Sequence, residues 1–154
     1  MLWVWIIGIA LPLAVGGLAG WLTMGSMSTY GALVQPALAP PPWVFPVAWT
    51  ALYLLMGIAS VLIWNADVPQ EEKRRALTWY GIQLAVNFVW PLLFFNAGLY
   101  GIALMWLILL LALVVATIAA FLPISRTAAW LMVPYLIWLL FATYLNAAIW
   151  LLNR

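Results

Sequence analysis

Charged residues are scarce in this chain of 154 residues, and histidine and cysteine are absent. Charge is confined to five Lys and Arg and three Asp and Glu, or 5% of the chain, whereas a soluble domain devotes about a quarter of its residues to charge. This composition excludes a water-soluble globular domain and a disordered chain, and it predicts no nucleic-acid partner. Without His or Cys, the chain has no disulfide, thiolate nucleophile or imidazole base, and no metal site is predicted.

Apolar residues make up 69% of the chain, and they form five runs that are long enough to cross a membrane as helices. A spanning helix needs about 20 mostly apolar residues. The sequence therefore predicts an all-α integral membrane protein, a single domain over residues 1–154 folded as a bundle of five transmembrane helices. The predicted spans cover residues 3–25, 44–64, 76–96, 98–122 and 127–152.

The distribution of positive charge predicts how the bundle sits in the lipid bilayer. With five spans, the N-terminus and the 65–75 loop share one side, which holds four of the five Lys and Arg residues. The other side holds only Arg154. Because cytoplasmic loops carry an excess of Lys and Arg, the N-terminus and the 65–75 loop are predicted to be cytoplasmic. The 26–43 loop and the C-terminus then lie on the opposite side.

The longest predicted connection, residues 26–43, carries no charge and is rich in proline. Pro36 and the run Pro40–Pro42 fix backbone angles and remove amide donors. A flexible polar loop has a different composition. The sequence predicts a semi-rigid apolar lid across one mouth of the bundle.

Tryptophan is the most distinctive residue of the chain, which contains twelve. Eight lie near span ends, as expected for a residue that favours the membrane interface. The other four lie about 9 Å or more inside their spans, at 1.5 Å per residue. With the predicted topology, three of them lie in the leaflet beneath the lid, and Trp138 lies near the midplane. The amide of Asn146 lies in the same leaflet, and that of Asn87 lies near the middle of its span. These deep tryptophans are Trp49, Trp90, Trp106 and Trp138.

Helical spacing groups the deep residues into stripes on the second, third and fifth spans. Each stripe is compatible with a helix–helix seam, since amides and small residues join membrane helices. Three stripes that converge below one loop favour a cavity instead. The predicted ligand-binding residues are Phe45, Trp49, Tyr53, Asn87, Trp90, Phe94, Trp138, Ala142 and Asn146.

A second small-residue pattern occurs on the first span, where Gly16 and Gly20 are one helical turn apart. Such a pair allows close approach of another helix. It predicts either tight packing within the bundle or the seam of a homodimer, and the sequence leaves both interpretations open.

Several of these segments resemble the TspO/MBR family, which comprises tryptophan-rich sensory proteins and the translocator protein, or peripheral-type benzodiazepine receptor. The ordered motifs cover parts of four spans and one loop. They are PPPWVFPVAWTALYLLMGIA at 40–59, QLAVNFVW at 83–90 with the two Phe at 94–95, AWLMVPYLIW at 129–138, and FATYLN at 141–146.

The resemblance implies a five-helix bundle, often dimeric, that needs no cofactor and takes a porphyrin as its ligand, either protoporphyrin IX or a haem-related tetrapyrrole. It implies a ligand site under the first long loop, between spans one, two, three and five. Some members take cholesterol or benzodiazepine-site drugs. Some bacterial members are similar to a light- and oxygen-dependent porphyrin-degrading catalyst, whose two pocket tryptophans match Trp49 and Trp138. Ala142 matches a small residue that faces the pocket.

The chain departs from the family pattern at two places. Its first loop lacks two tryptophans and a lysine of the family pattern, which removes a cation from the expected lid. The sterol consensus near the C-terminus is absent, because no tyrosine stands between Leu145 and Arg154. The resemblance therefore leaves sterol binding open.

Three functions follow from the residues and remain open. A sensor or receptor would stack indoles on a macrocycle and use Asn87 and Asn146 to orient it. A transporter would be passive, because the spans hold no buried charge for ion coupling. A conventional enzyme is not predicted, since the spans offer no general acid or base. Photo-oxidation of a bound porphyrin, with tryptophan as redox partner, is the exception.

Overall fold

The computed structural model describes residues 1–154 and consists of helices and their connections. A 3₁₀ turn at Met24–Ser26 joins the first helix to a short second helix, and a π-helical turn at Leu92–Asn96 continues the fourth helix. Five helices, counted with these extensions, are long and apolar enough to cross a membrane. The all-α, five-span prediction is confirmed. The six helices are α1 (Leu2–Thr23), α2 (Met27–Gly31), α3 (Val44–Trp64), α4 (Gln70–Pro91), α5 (Tyr100–Phe121) and α6 (Arg126–Leu152).

The five long helices form a ring in the order α1, α3, α6, α5 and α4. Inside the ring, apolar side chains such as Met56, Leu107 and Leu139 are fully buried. The helices α1 and α3 approach each other closely where Gly57 faces Gly8. A Cβ on Gly57 would lie 2.8 Å from the Gly8 carbonyl oxygen, so only glycine permits this backbone contact.

The lid begins later than predicted, because residues 26–31 are helical and not part of a loop. The amide of Met27 donates to the Met24 carbonyl, and the amide of Ala32 donates to the Ser28 carbonyl. No proline interrupts this segment, so the first span continues to Gly31. The lid is therefore residues 32–43. Its backbone includes one non-glycine residue in the left-handed region, Leu38, at φ 69°.

The predicted 65–75 loop is also shorter, because α4 begins at Gln70. Pro69 precedes the helix, and Glu71 and Glu72 lie in its first turn, where carboxylates favour the positive end of the helix dipole. Lys73 then reaches back and donates from Nζ to the Trp64 carbonyl at 2.9 Å, which caps the end of α3. The charged residues of this connection are therefore largely helical. The ends of α5 and α6 lie within two residues of the predicted bounds.

The exposure of the tryptophan side chains largely follows their grouping into span-end and deep residues. Trp5 and Trp79, from the set near span ends, are half-buried. Among the deep four, Trp90 is buried, with 7% exposure, and the other three are half-buried. The remaining six of the end set are exposed: Trp3, Trp21, Trp43, Trp64, Trp130 and Trp150.

Candidate ligand-binding site

A cavity of about 970 Å³ lies beneath the lid, between α1, α3, α4 and α6. The lid and α2 cover it, and α5 does not reach it. All nine residues that the sequence predicts as ligand-binding line this one cavity. The structure therefore brings the three predicted stripes together, while their contact with a ligand stays a prediction.

Aromatic rings of α3 and α6 form one wall of the cavity. The indole of Trp49 stacks on Tyr53, with 5.6 Å between ring centroids and 27° between planes. Trp138 meets Trp49 edge-on at 6.3 Å, and Phe45 meets Trp138 edge-on at 6.2 Å. These offset and perpendicular arrangements are the favoured geometries of aromatic pairs, so the wall is preorganised.

A second aromatic wall comes from α4 and the π-helical turn that follows it. Trp90 stacks on Phe94 at 5.1 Å, and its indole N–H donates to the side-chain oxygen of Asn146 at 3.0 Å. The amide nitrogen of Asn146 donates in turn to the Tyr100 carbonyl at 2.8 Å. Asn146 therefore joins α6 to α4 and to the start of α5.

A chain of buried hydrogen bonds runs from the cavity wall into the bundle core. The Tyr53 hydroxyl donates to Asn87 Oδ1 at 2.6 Å, and Asn87 Nδ2 donates to the Tyr135 hydroxyl at 2.8 Å. Tyr135 then donates to Gln83 Oε1 at 2.9 Å. Like Asn146, Asn87 is engaged with protein groups. The structure therefore gives both amides the role of joining helices, and orientation of a ligand by either amide stays a prediction.

The family resemblance implies that the first span borders the site, but the predicted binding residues include none from that span. Gly16, Gly17 and Gly20 of α1 line it, together with Met24 and Tyr30 beyond the end of α1. The signal was present as the pair Gly16 and Gly20, for which the sequence left packing within the bundle and a dimer seam open. Gly16 packs inside the bundle, because a Cβ there would overlap the ring of Tyr53, whereas Gly20 has open space beside it.

Trp106 does not join the cavity, contrary to its grouping with the other deep tryptophans. Its indole N–H donates to the Val86 carbonyl at 2.8 Å, across the seam between α4 and α5. The depth of Trp106 in its span is as expected, but its side chain lies at the seam with α4 and does not line the cavity. Depth alone therefore did not identify its side of the helix.

The lid is held to the C-terminal end of α6 by side-chain hydrogen bonds. Asn153 accepts from the Val34 amide at 2.9 Å and donates to the Val34 carbonyl at 3.0 Å. The Tyr144 hydroxyl donates to the Ala37 carbonyl at 2.6 Å. The lid is thus fixed at two points over the cavity.

Charge is missing from the cavity lining, which contains no Lys, Arg, Asp or Glu. The nearest region with a cation at this end of the bundle is the C-terminus, where Arg154 follows Asn153. The cavity therefore offers stacking surfaces and apolar contacts and no charged partner for a buried ionic group.

Comparison with known proteins agrees with this architecture. The model of the TspO/MBR family matches residues 8–151. The chain belongs to the TspO/MBR family. It is similar to the tryptophan-rich protein TspO of Chlorobaculum tepidum, with 38% identity over 94% of this chain and 92% of that protein. It is also similar to the translocator protein of Sus scrofa, with 37% identity over 99% of this chain and 92% of the relative.

A third relative has the highest identity of the three, over a shorter stretch. The translocator protein of Homo sapiens is 41% identical over 79% of this chain and 72% of its own length. The TspO/MBR resemblance drawn from the sequence motifs is therefore confirmed. The motifs that carry it, around Trp49, Asn87 and Trp138, are the segments that build the cavity wall.

Proposed function

We propose that this TspO/MBR protein is a membrane sensor or receptor that binds a flat, apolar tetrapyrrole of the porphyrin class in the cavity beneath the lid. The observation that carries the proposal is a single large cavity with aromatic walls and no charged lining residue. A volume of about 970 Å³ lies near the upper end of the roughly 300–1,000 Å³ range of small-molecule pockets.

The lining supports a planar ligand in particular. Trp49 and Trp138 present indole surfaces from two helices, and stacking on such faces suits an aromatic macrocycle. Carboxylates of a porphyrin would not be buried favourably here, because the cavity supplies no cation to pair with them. They would point toward the lid end, where Arg154 lies.

Alternative ligands and activities rank below porphyrin binding. The apolar lining also admits a sterol or a benzodiazepine-site drug, although the chain lacks the C-terminal sterol consensus. Passive transfer of a tetrapyrrole is less favoured, since Met56, Tyr135 and Leu139 fill the bundle core with no exposed surface. Light- and oxygen-dependent porphyrin degradation is favoured only by the shared position of Trp49 and Trp138 on the cavity wall.

Tryptophan fluorescence tests the proposal directly. Protoporphyrin IX added to purified protein in detergent is expected to quench the emission and to saturate at one equivalent. Absence of saturable quenching contradicts the proposal. The same complex, illuminated in air, separates binding from degradation, because only degradation bleaches the porphyrin absorbance faster than free porphyrin does.

A further inference from the structure

The cavity has a gap in its wall between α1 and α3, although the two helices are closely packed elsewhere. At one end, Gly8 and Gly57 bring the backbones into contact. The Tyr53 ring covers Gly16, two turns further along α1. Up to that point the seam is closed.

Beyond Gly16, the next two glycines of α1 no longer meet a side chain of α3. Gly17 and Gly20 line the cavity and are exposed, and a Cβ on either would meet no atom within 4 Å. On α3, Pro46 and Thr50 also line the cavity and are exposed. We call this gap the slot, defined by Gly17, Gly20, Pro46 and Thr50.

The slot faces outward from the bundle. Thr50 lies between Trp49, which faces the cavity, and Ala51, which is exposed and does not line it. Val47, on the same outer face of α3, is 60% exposed. The slot residues of α3 therefore lie at the boundary between its cavity-lining face and its outer face.

The depth of the slot places it against the hydrocarbon of the bilayer. Gly20 lies well inside the span Leu2–Gly31. Thr50 is six residues into α3, or about 9 Å along the axis at 1.5 Å per residue. None of the four slot residues is charged. By contrast, the lid lies over the mouth of the cavity, and Asn153 and Tyr144 hold it in place.

We propose that the ligand reaches the cavity sideways from the bilayer, through the slot, and not through the lid. This inference rests on the proposed function, and it adds that the ligand class is flat, apolar molecules dissolved in the membrane. A porphyrin would pass edge-on between α1 and α3 while its carboxylates stay at the headgroup level. The lid can then remain hydrogen-bonded throughout binding.

Filling the slot tests the route. The variant Gly20→Phe adds a large side chain at a position where a Cβ meets no atom within 4 Å, so its attachment requires no backbone shift. The matched control is Gly81→Phe, because Gly81 of α4 is also exposed with open space beside it and does not line the cavity. Each protein is reconstituted in phosphatidylcholine vesicles, and quenching by protoporphyrin IX is followed by stopped flow.

The expected result is that Gly20→Phe slows association and dissociation by a common factor on the order of tenfold, which corresponds to a barrier higher by about 1.4 kcal/mol. Gly81→Phe should bind at the wild-type rate. Association of Gly20→Phe at the wild-type rate overturns the inference. Faster dissociation with unchanged association also overturns it. That pattern would mean that the added ring weakens binding inside the cavity and does not obstruct the entry of the ligand.

Locking the lid gives the complementary test. The chain has no cysteine, so Val34→Cys with Asn153→Cys forms a single disulfide across an existing contact. The oxidised and reduced forms of this variant are expected to bind at equal rates. If oxidation stops binding, the lid is the route and the inference fails. If the wild type does not bind protoporphyrin at all, the proposed function fails instead.

Discussion

Tyr53 connects three helices to the shape of the cavity wall. Its ring lies against Gly16 of α1, its face carries the indole of Trp49, and its hydroxyl donates to Asn87 of α4. Gly16 of α1 therefore helps to determine the position of the Trp49 indole on α3. The position of Trp49 depends on the absence of a side chain at residue 16.

Adding one methyl group at Gly16 tests this dependence. In Gly16→Ala the Cβ collides with the Tyr53 ring, and overpacking of this kind costs about 1–3 kcal/mol. We expect a lower melting temperature in detergent and weaker protoporphyrin quenching, because the ring and Trp49 must move. Gly17→Ala is the control, since its Cβ meets open space. Equal behaviour of the two variants would show that Tyr53 adapts freely.

Single tryptophans on α6 separate the cavity from the membrane interface. Trp138 lines the cavity, whereas Trp130, two turns earlier, is 68% exposed. Trp138→Phe is expected to weaken saturable quenching by protoporphyrin by roughly threefold to tenfold, through loss of about 0.5–1.5 kcal/mol of aromatic contact. Trp130→Phe should leave the affinity unchanged. An equal loss in both would contradict the assignment of the cavity as the binding site.

At the scale of the element, the lid is ordered by prolines and by its attachment to α6. Pro36 and Pro40–Pro42 limit the backbone, while Asn153 and Tyr144 fix it at Val34 and Ala37. Because the segment is only twelve residues long, from 32 to 43, two attachments suffice to hold it. The lid therefore behaves as a fixed cover in the ligand-free protein.

Removing one attachment should loosen the lid. Asn153→Ala deletes both hydrogen bonds to Val34, each contributing about 0.5–1.5 kcal/mol. Amides of residues 32–39 are then expected to exchange with deuterium faster, while the spanning helices stay protected. Asn65→Ala, at the opposite end of the bundle, is the control. Unchanged exchange in Asn153→Ala would mean that the prolines alone order the lid.

At the scale of the whole molecule, the buried hydrogen-bond chain joins α3, α4 and α6 at their centre. Tyr135 is its middle member and is fully buried, with Asn87 as its donor and Gln83 as its acceptor. In a membrane interior, where lipid offers no competing partner, each such group must be satisfied within the bundle. The chain therefore fixes the register of three helices.

Two tyrosines of the core provide a matched test of this role. Tyr135→Phe leaves Asn87 and Gln83 without their partner and is expected to destabilise the fold by about 1–3 kcal/mol. The Tyr80 hydroxyl is buried without a hydrogen-bond partner, so Tyr80→Phe should be neutral or stabilising. Unfolding in SDS measures both. A smaller loss for Tyr135→Phe than for Tyr80→Phe would contradict the structural role of the chain.

The sequence predicts the number and position of the spans well, because each long apolar run has one stable outcome in a membrane. It also predicts the start of α4 in principle, since Pro69 followed by Glu71 and Glu72 is a helix-start signal. It does not predict the direction in which Trp106 points. Depth follows from position along a helix, whereas rotation about the helix axis depends on which neighbours pack around it.

The same limit applies to the amides. Asn87 and Asn146 were predicted at the site, and they line it. Their partners, Tyr135 and Tyr100, are contributed by other helices at positions that no local pattern reveals. For these amides, the sequence predicts the position at the cavity. It does not predict the hydrogen bonds, because the partners come from other helices of the assembled ring.

The engagement of Asn87 and Asn146 within the protein has a thermodynamic consequence. These amides are already hydrogen-bonded, and the cavity lining carries no charge. Binding would therefore move the apolar surface of the ligand from the bilayer into the cavity without forming new ionic contacts. Titration calorimetry in nanodiscs, with the heat of partitioning into protein-free nanodiscs subtracted, should then give only a small heat-capacity change, because the ligand leaves lipid and not water. The affinity should also vary little between low and high salt, because no screened attraction takes part.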